Sequence, residues 1–232
     1  MISTRAMIPD RRPLLIVSLP RNDPALAAAA RDGGADVLKV HVNVRHLASG
    51  TVFGPLAQER PRLEQILAFG LPTGLVPGEE QMLAPEEMPE IRRMGFAFLD
   101  AFVDTIQPHL YEAGIPVIPA LPHSADDRFL ERARDLPGDW VEAAVVAPDG
   151  YGKPPEKADF VALRKVGKVT RKRLIVPSQR WITPAHAVRY FGIPQVTALM
   201  IGAVVTGMEA KSLGAATAAF RRALDRLSRS AD

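Results

Sequence analysis

Eight alternations of strand and helix within 232 residues predict an α/β protein built as a closed (β/α)8 TIM barrel. Three observations carry that expectation. Short apolar runs rich in Val, Ile and Leu recur between helical patterns, as parallel strands buried on both faces should. Helix starts such as Asp23-Pro24 and Thr183-Pro184 combine an N-cap with a proline in the first turn. Helix-to-strand joints carry glycine, as in Asp32-Gly33-Gly34-Ala35-Asp36, Met94-Gly95-Phe96, Ala113-Gly114-Ile115 and Phe191-Gly192-Ile193, where a left-handed residue ends the helix. An open doubly wound sheet is the alternative arrangement of the same units.

In chain order, Leu14 to Leu19 reads as the first strand, followed by an alanine-rich helix that ends at Gly33-Gly34. Val37 to Val44 is the second strand, and a glycine-containing loop leads to a helix near Ala57 to Ala68. Leu71 to Val76, Phe96 to Val103, Ile115 to Ala120 and Val141 to Ala147 are the next four strands. The helices between them run from Pro85 to Arg93, Ile106 to Glu112 and Asp126 to Arg134. A helix from Lys157 to Val169 precedes the seventh strand, Leu174 to Pro177, and a shorter one ending at Tyr190 precedes the eighth, Ala198 to Ala203. A long amphipathic helix from about Lys211 to Leu227 closes the chain.

Length favours one domain over residues 1–232, with 1–12 as a polar, proline-interrupted N-terminal segment expected to be flexible. The composition, 47% apolar and 24% charged, is that of an ordinary globular protein. With no cysteine, disulfides, thiolate nucleophiles and thiolate metal sites are all excluded. No apolar run approaches the roughly 20 residues of a membrane span, and the N-terminus lacks a signal-peptide core, so a cytoplasmic protein without membrane association is expected. Net charge is only +3, and the basic clusters at 165–173 and 221–229 lie on helical patterns without interleaved aromatics. They read as solvated helix faces, and no nucleic-acid partner is expected.

The second strand carries the chemistry. A two-residue period sends Lys39, His41 and Asn43 to one face and the flanking aliphatic residues to the other. In a barrel working groups project from the carboxyl ends of strands, and if this polar face is the inward one its residues either form a site or, as a lumen salt bridge, only fill the barrel. A lysine held that deep needs a carboxylate or must shed its proton, with Asp100 on the fourth strand as the expected partner and Glu142 as another. A depressed Lys39 would act as general base or imine-forming nucleophile, and His41 would polarise a carbonyl. His46 lies close to His41 in sequence, but no acidic or histidine cluster completes a metal site, so no metal is expected. Ser18, Arg21, Asn43 and Gln179 are read as substrate-orienting groups at the mouth. Gly150-Tyr151-Gly152-Lys153-Pro154 reads as a closing loop or a plain turn. Ser178, Arg180, Gly202 and Ala203 after the last two strands are read as a phosphate site, where barrels use backbone N–H groups and a short helix.

The motifs Leu15-Ile16-Val17-Ser18, Gly34-Ala35-Asp36-Val37, Ile182-Thr183-Pro184-Ala185 and Ile201-Gly202-Ala203-Val204 resemble those of the ribulose-phosphate-binding barrels, most nearly the N-acylmannosamine-6-phosphate 2-epimerase branch. The resemblance implies the barrel fold, a phosphate site and proton transfer beside a carbonyl. The family's lysine on the third strand and glutamate at the end of the seventh are not matched, for Thr73-Gly74-Leu75-Val76-Pro77 and Pro177-Ser178-Gln179 stand there.

These readings together predict an isomerase or epimerase acting on a small phosphorylated metabolite of carbohydrate metabolism. Lys39, His41 and Asp100 would be the catalytic set, with no cofactor; a homodimer is expected by analogy. The alternatives are an imine-forming lyase or aldolase using Lys39, and a non-catalytic barrel that binds a phosphorylated ligand or a protein partner.

Overall fold

The computed structural model describes residues 8–10 and 13–229, so most of the expected N-terminal segment lies outside the described residues. Strands β1 (Leu14–Ser18), β2 (Val37–His41), β3 (Thr73–Val76), β4 (Phe98–Phe102), β5 (Val117–Pro122), β6 (Trp140–Ala144), β7 (Arg173–Pro177) and β8 (Val196–Ile201) pair in parallel, each with the next. The circuit closes through β1 and β8, with Ile16 opposite Met200. The protein is a closed (β/α)8 barrel, as its alternating pattern predicts, and the open-sheet alternative is excluded.

The outer layer contains α1 (Pro24–Asp32), α2 (Leu56–Leu67), α3 (Met88–Met94), α4 (Pro108–Glu112), α5 (Asp127–Asp135), α6 (Lys157–Thr170) and α7 (Ala187–Phe191), then α8 (Ala203–Thr206) and α9 (Ala210–Arg229). Capping sets where they begin. The Asp23 carboxylate accepts the Ala25 N–H at 2.9 Å, and that of Asp126 accepts the Phe129 N–H at 2.8 Å. Outward-facing strand residues such as Leu15, Val17, Leu38 and Leu199 pack against buried helix residues such as Leu26, Leu63 and Phe220 to form the main core. Among the described residues no helix is long and apolar enough to cross a membrane.

Inward-facing residues stack in tiers contributed alternately by even and odd strands. Val37, Phe98, Trp140 and Ala198 form the lowest, and Ile16, Gly74, Ile118 and Ile175 the next. Gly74 has a packing reason: a Cβ there would run into the Phe98 ring, which fills the lumen at that point. Those apolar tiers seal the barrel from below, which confines any site to the end where the strands terminate.

The second strand is shorter than its alternation predicts. It stops at His41, and Asn43 takes φ 53, in the left-handed region that asparagine tolerates better than most residues. Val42 and Val44 are nonetheless buried, so the apolar alternation continues past the point where the strand has ended. Residues beyond it form a small hairpin held by an antiparallel bridge between Arg45 and Val52. Phe53 N–H donates to Val44 O at 2.8 Å and Asn43 N–H to Gly54 O at 2.9 Å.

Candidate active site at the carboxyl ends of the strands

Above the apolar tiers lies a cavity of about 410 Å³, within the range typical of small-molecule sites. Its floor is the tier Lys39, Asp100, Glu142 and Met200, one residue from each even strand. The Lys39 Nζ donates to Glu142 Oε2 at 2.6 Å and to Asp100 Oδ2 at 3.0 Å, and the exposure of the three side chains is only 8, 8 and 2%. Sequence reasoning named both carboxylates as possible partners, and the structure brings both to the same ammonium.

The charge state differs from the expected one. Burial by itself would lower the Lys39 pKa, but the adjacent Asp100 and Glu142 carboxylates outweigh it and raise it above the ordinary value. Lys39 therefore rests as an ammonium, which corrects the expectation of a depressed lysine acting as base or nucleophile. The proton-exchanging groups are the carboxylates. Burial and the nearby Glu142 push Asp100 well above the usual carboxylate range. Burial also works against ionised Glu142, yet Lys39 and a hydrogen bond from Asp100 hold it below its ordinary value. One cation cannot neutralise two buried carboxylates, so Asp100 retains a proton while Glu142 stays ionised.

His41 rises one even tier higher and stacks on Phe53, with ring centroids 4.6 Å apart and 29° between planes. The His46 ring lies beside that of His41, tilted by 46° with centroids 4.8 Å apart. Burial first, then His46 and Lys39, lowers the His41 pKa well below the ordinary value, while burial and Lys39 bring His46 to about 4. Both imidazoles are neutral at physiological pH. The His41 Nδ1 is buried without a hydrogen-bond partner and its ring lines the cavity. Its backbone is fixed from both sides: Asn22 Nδ2 donates to His41 O at 2.6 Å and Asn22 Oδ1 accepts the His41 N–H at 3.3 Å. The same Asn22 amide reaches Glu59 at 2.9 Å, and Glu59 in turn accepts the Gly54 N–H at 3.0 Å. Asn22, Phe53 and Glu59 carried no local sequence signal, because their partners become neighbours only when the loops after β1 and β2 come together.

On the β7–β8 side, the Ser178 Oγ accepts the Gly202 N–H at 2.9 Å, and both residues line the cavity. Ser18 lies opposite, its hydroxyl buried and unpartnered, with its Cβ 3.6 Å from where a Cβ on Gly202 would project. Ala203 opens α8 just behind this edge and does not line the cavity.

Arg180 is elsewhere. Its Nε and Nη2 bind the two Asp159 oxygens at 2.9 Å each, and Nη1 reaches Gly150 O at 3.2 Å and Glu156 at 3.1 Å. The guanidinium is spent on α6 and the loop after β6, so it does not supply the expected phosphate contact. Arg21 and Asn43 likewise fall outside the cavity lining: Arg21 is a half-buried residue 3.8 Å from Asp23, and Asn43 follows the end of β2 with φ 53.

Gln179 lines the cavity, but its amide is committed. The Oε1 accepts the Val146 N–H at 3.1 Å, while Nε2 donates to Val146 O at 3.2 Å and to the Tyr151 hydroxyl at 2.8 Å. This corrects its role from substrate ligand to clip. Because a backbone N–H can only donate, Oε1 must face Val146 and the amide N–H must face Tyr151. The Tyr151 oxygen is thus an acceptor in that bond, and its own O–H is left to donate elsewhere, from a ring that lines the cavity. Among the described residues no three His, Cys, Asp or Glu side chains are grouped as a metal site requires.

No family model matches the sequence, and no curated protein sequence matches it. Solved structures do match. Tryptophan synthase from M. tuberculosis superposes with a TM-score of 0.73 at 16% identity, covering 92% of this chain and 93% of that one. The tryptophan synthase A-subunit from Pyrococcus furiosus gives 0.68 at 13% identity, over 93% and 100%. Phosphoribosyl anthranilate isomerase from Thermus thermophilus gives 0.61 at 17% identity, over 92% and 99%. What these chains share is the fold. Each comparison spans at least 92% of both chains, and the cavity at the carboxyl end of the barrel is where this chain places its own ionisable tier.

Proposed function

We propose that this barrel is an enzyme that moves a proton next to a carbonyl of a small phosphorylated substrate, as an isomerase or epimerase. One observation carries the reading: a buried ammonium held by two carboxylates of unequal proton affinity forms the floor of a cavity whose rim has two serine residues, Ser18 and Ser178, the latter already accepting the Gly202 N–H. Two interacting acids with separated proton affinities are the arrangement that acid–base chemistry near neutral pH needs.

The roles differ from those expected from sequence. Glu142, ionised, takes the proton from the carbon beside the carbonyl, and that bond's electron pair passes through the new double bond onto the carbonyl oxygen. The Lys39 ammonium and the Tyr151 hydroxyl meet the oxygen's developing charge, and His41 orients the substrate as a neutral ring. In an isomerase Asp100 gives its proton to the enolate oxygen and takes that of the neighbouring hydroxyl, whose oxygen becomes the new carbonyl, while Glu142 returns its proton to the former carbonyl carbon, so both acids end as they began; in an epimerase the enolate carbon would take its proton on the other face from solvent at the cavity mouth and Glu142 would release its own to solvent. Phosphate occupies the edge beside Ser18 and Ser178, where the Ser178 hydroxyl accepts the Gly202 N–H and keeps its own hydrogen to donate. The reading takes residues 1–232 as one barrel domain, acting in the cytoplasm without a cofactor, and by analogy as a homodimer.

Small oxo-phosphates incubated with the protein in heavy water, followed by NMR, provide the test. Solvent deuterium should enter the carbon beside the carbonyl, and Glu142→Gln should slow that entry by about 10²-fold or more. Exchange that proceeds equally well in Glu142→Gln removes the base assignment, and a panel with no exchange removes the reaction. A lyase would need Lys39 as a free amine, which its two carboxylates oppose. Borohydride added with the same compounds should accordingly leave Lys39 unmodified.

A further inference from the structure

The turn Gly150-Tyr151-Gly152-Lys153, which reads from sequence as a closing loop or a plain turn, is fastened to the segment Gln179-Arg180-Trp181 beyond β7. The Gly152 N–H donates to Gln179 O at 2.9 Å and the Trp181 N–H to Lys153 O at 2.9 Å. The Arg180 Nη1 donates to Gly150 O at 3.2 Å, and the Gln179 Nε2 to the Tyr151 hydroxyl at 2.8 Å. Two glycines permit so close a seat. A Cβ on Gly150 would come within 2.8 Å of Val146 and 3.0 Å of the Arg180 guanidinium, and Gly152 takes φ 74, in the left-handed region.

Tyr151 is the residue this seat holds. It lines the cavity, and its hydroxyl oxygen accepts the Gln179 N–H. The direction of that bond is set from behind, because the Gln179 Oε1 is already turned to the Val146 N–H at 3.1 Å and an amide nitrogen can only donate. A phenol has one hydrogen, so the Tyr151 O–H must find an acceptor that Gln179 does not offer. A hydroxyl that accepts a hydrogen bond also becomes a stronger donor in its turn. Burial raises the proton affinity of Tyr151 above that of an ordinary phenol, and the Gln179 hydrogen bond acts against it. Glu142 and Lys39 act on the same phenol in opposite senses, so its oxygen lies in the field of the cavity floor.

We propose that Gln179 is a positioning residue that holds Tyr151 as a preset hydrogen-bond donor to a carbonyl or enolate oxygen of the ligand. Its amide aims the hydroxyl and polarises it, and the three bonds made by Gly152, Trp181 and Arg180 keep the ring from swinging out with its loop. A side chain expected from sequence to touch the ligand thus acts on it through a second one, brought to it from 28 residues earlier. The identity of the acceptor oxygen rests on the proposed function, and the hold on Tyr151 rests on its own contacts.

The full chain carries three tyrosines, and replacing them with 3-fluorotyrosine gives each a fluorine signal whose titration is read without any substrate. Tyr151→Phe assigns the signal. Gln179→Leu and Gln179→Glu should both move the Tyr151 transition to higher pH, the first by removing the donated bond and the second by setting a carboxylate against the phenolate. A transition that stays in place in both variants overturns the positioning role, whatever the variants do to stability. Deuterium entry into the oxo-phosphates then tests the acceptor oxygen. Tyr151→Phe should slow it about 10²-fold and Gln179→Leu about tenfold. The double variant should be no slower than Tyr151→Phe, because Gln179 acts through the phenol. Losses that multiply overturn that route. A shifted transition in a protein that exchanges nothing supports the hold and removes the reaction, and exchange that survives Tyr151→Phe intact removes the carbonyl or enolate oxygen as its acceptor.

Discussion

Two buried clusters in this barrel each set one cation against two carboxylates, and they differ in what each leaves unsatisfied. Around Arg180, Asp159 takes two guanidinium N–H groups in a forked pair, while the second acid, Glu156, is 61% exposed and keeps its water. Around Lys39, both acids are as buried as the lysine itself, so the cluster is short of positive charge and must hold a proton. The first cluster is closed, lies away from the cavity and fastens α6 to the loops after β6 and β7. The second is open on the cavity side and has a proton to exchange. A buried ion pair is thus not by itself a sign of chemistry, whereas one with an uncompensated acid facing a cavity is.

The sharpest way to break that contrast is to remove one partner from each cluster. Asp159→Ala leaves Arg180 buried with only an exposed acid nearby, and should cost about 3–5 kcal/mol in urea denaturation at pH 7, because a guanidinium cannot shed its charge. Lys39→Met should cost about 3 kcal/mol at pH 7, since it leaves Asp100 and Glu142 buried together. That loss should shrink on acidification. Burial and mutual repulsion hold the pair's folded pKa values above their unfolded values near 4, so the native state binds the extra protons and regains stability as pH falls. If the two variants respond alike to acid, the clusters do not differ as argued.

The histidines act in the opposite sense in the unaltered protein. His46 falls to about 4 and His41 is lowered well below its ordinary value, so the unfolded chain binds protons more readily than the native one. Stability should be full above pH 6.5 and fall by on the order of 2–3 kcal/mol as pH drops toward 4, and His46→Phe should flatten that slope. Smaller again, Gln179→Leu strands the Val146 N–H and carbonyl and should cost about 2 kcal/mol in a thermal melt. Ser18→Ala lies at the bottom of the scale. The lost hydroxyl has no protein partner, so the change should stay within about 0.5 kcal/mol while weakening phosphate binding measurably.

Much of this was legible along the chain. The order of elements follows from local rules, and a shared face for Lys39, His41 and Asn43 with Asp100 or Glu142 as candidate partners follows from strand period, although that face's inward direction does not. Where reading by period failed, it failed for a physical reason. Val42 and Val44 are buried as a continuing strand would bury them, but burial does not report dihedral angle, and Asn43 between them has turned left-handed. Arg180 stands where a phosphate ligand would, yet a guanidinium binds whichever carboxylate reaches it first, and Asp159, 21 residues earlier, reaches it from α6.

By itself the sequence determined the order of strands and helices and which strand residues share a face, because caps, glycine joints and a two-residue period act over a few neighbouring residues, whereas closure of the barrel and the inward direction of the Lys39 face came from the tertiary structure. Only the tertiary structure decided the charge of Lys39, the commitment of Arg180 and Gln179, and the bare Nδ1 of His41. Those depend on partners such as Asp100 and Glu142, 61 and 103 residues away from Lys39. Proton affinity is set by burial and by charges within a few ångströms, and no local pattern along the chain records which distant groups will come that close.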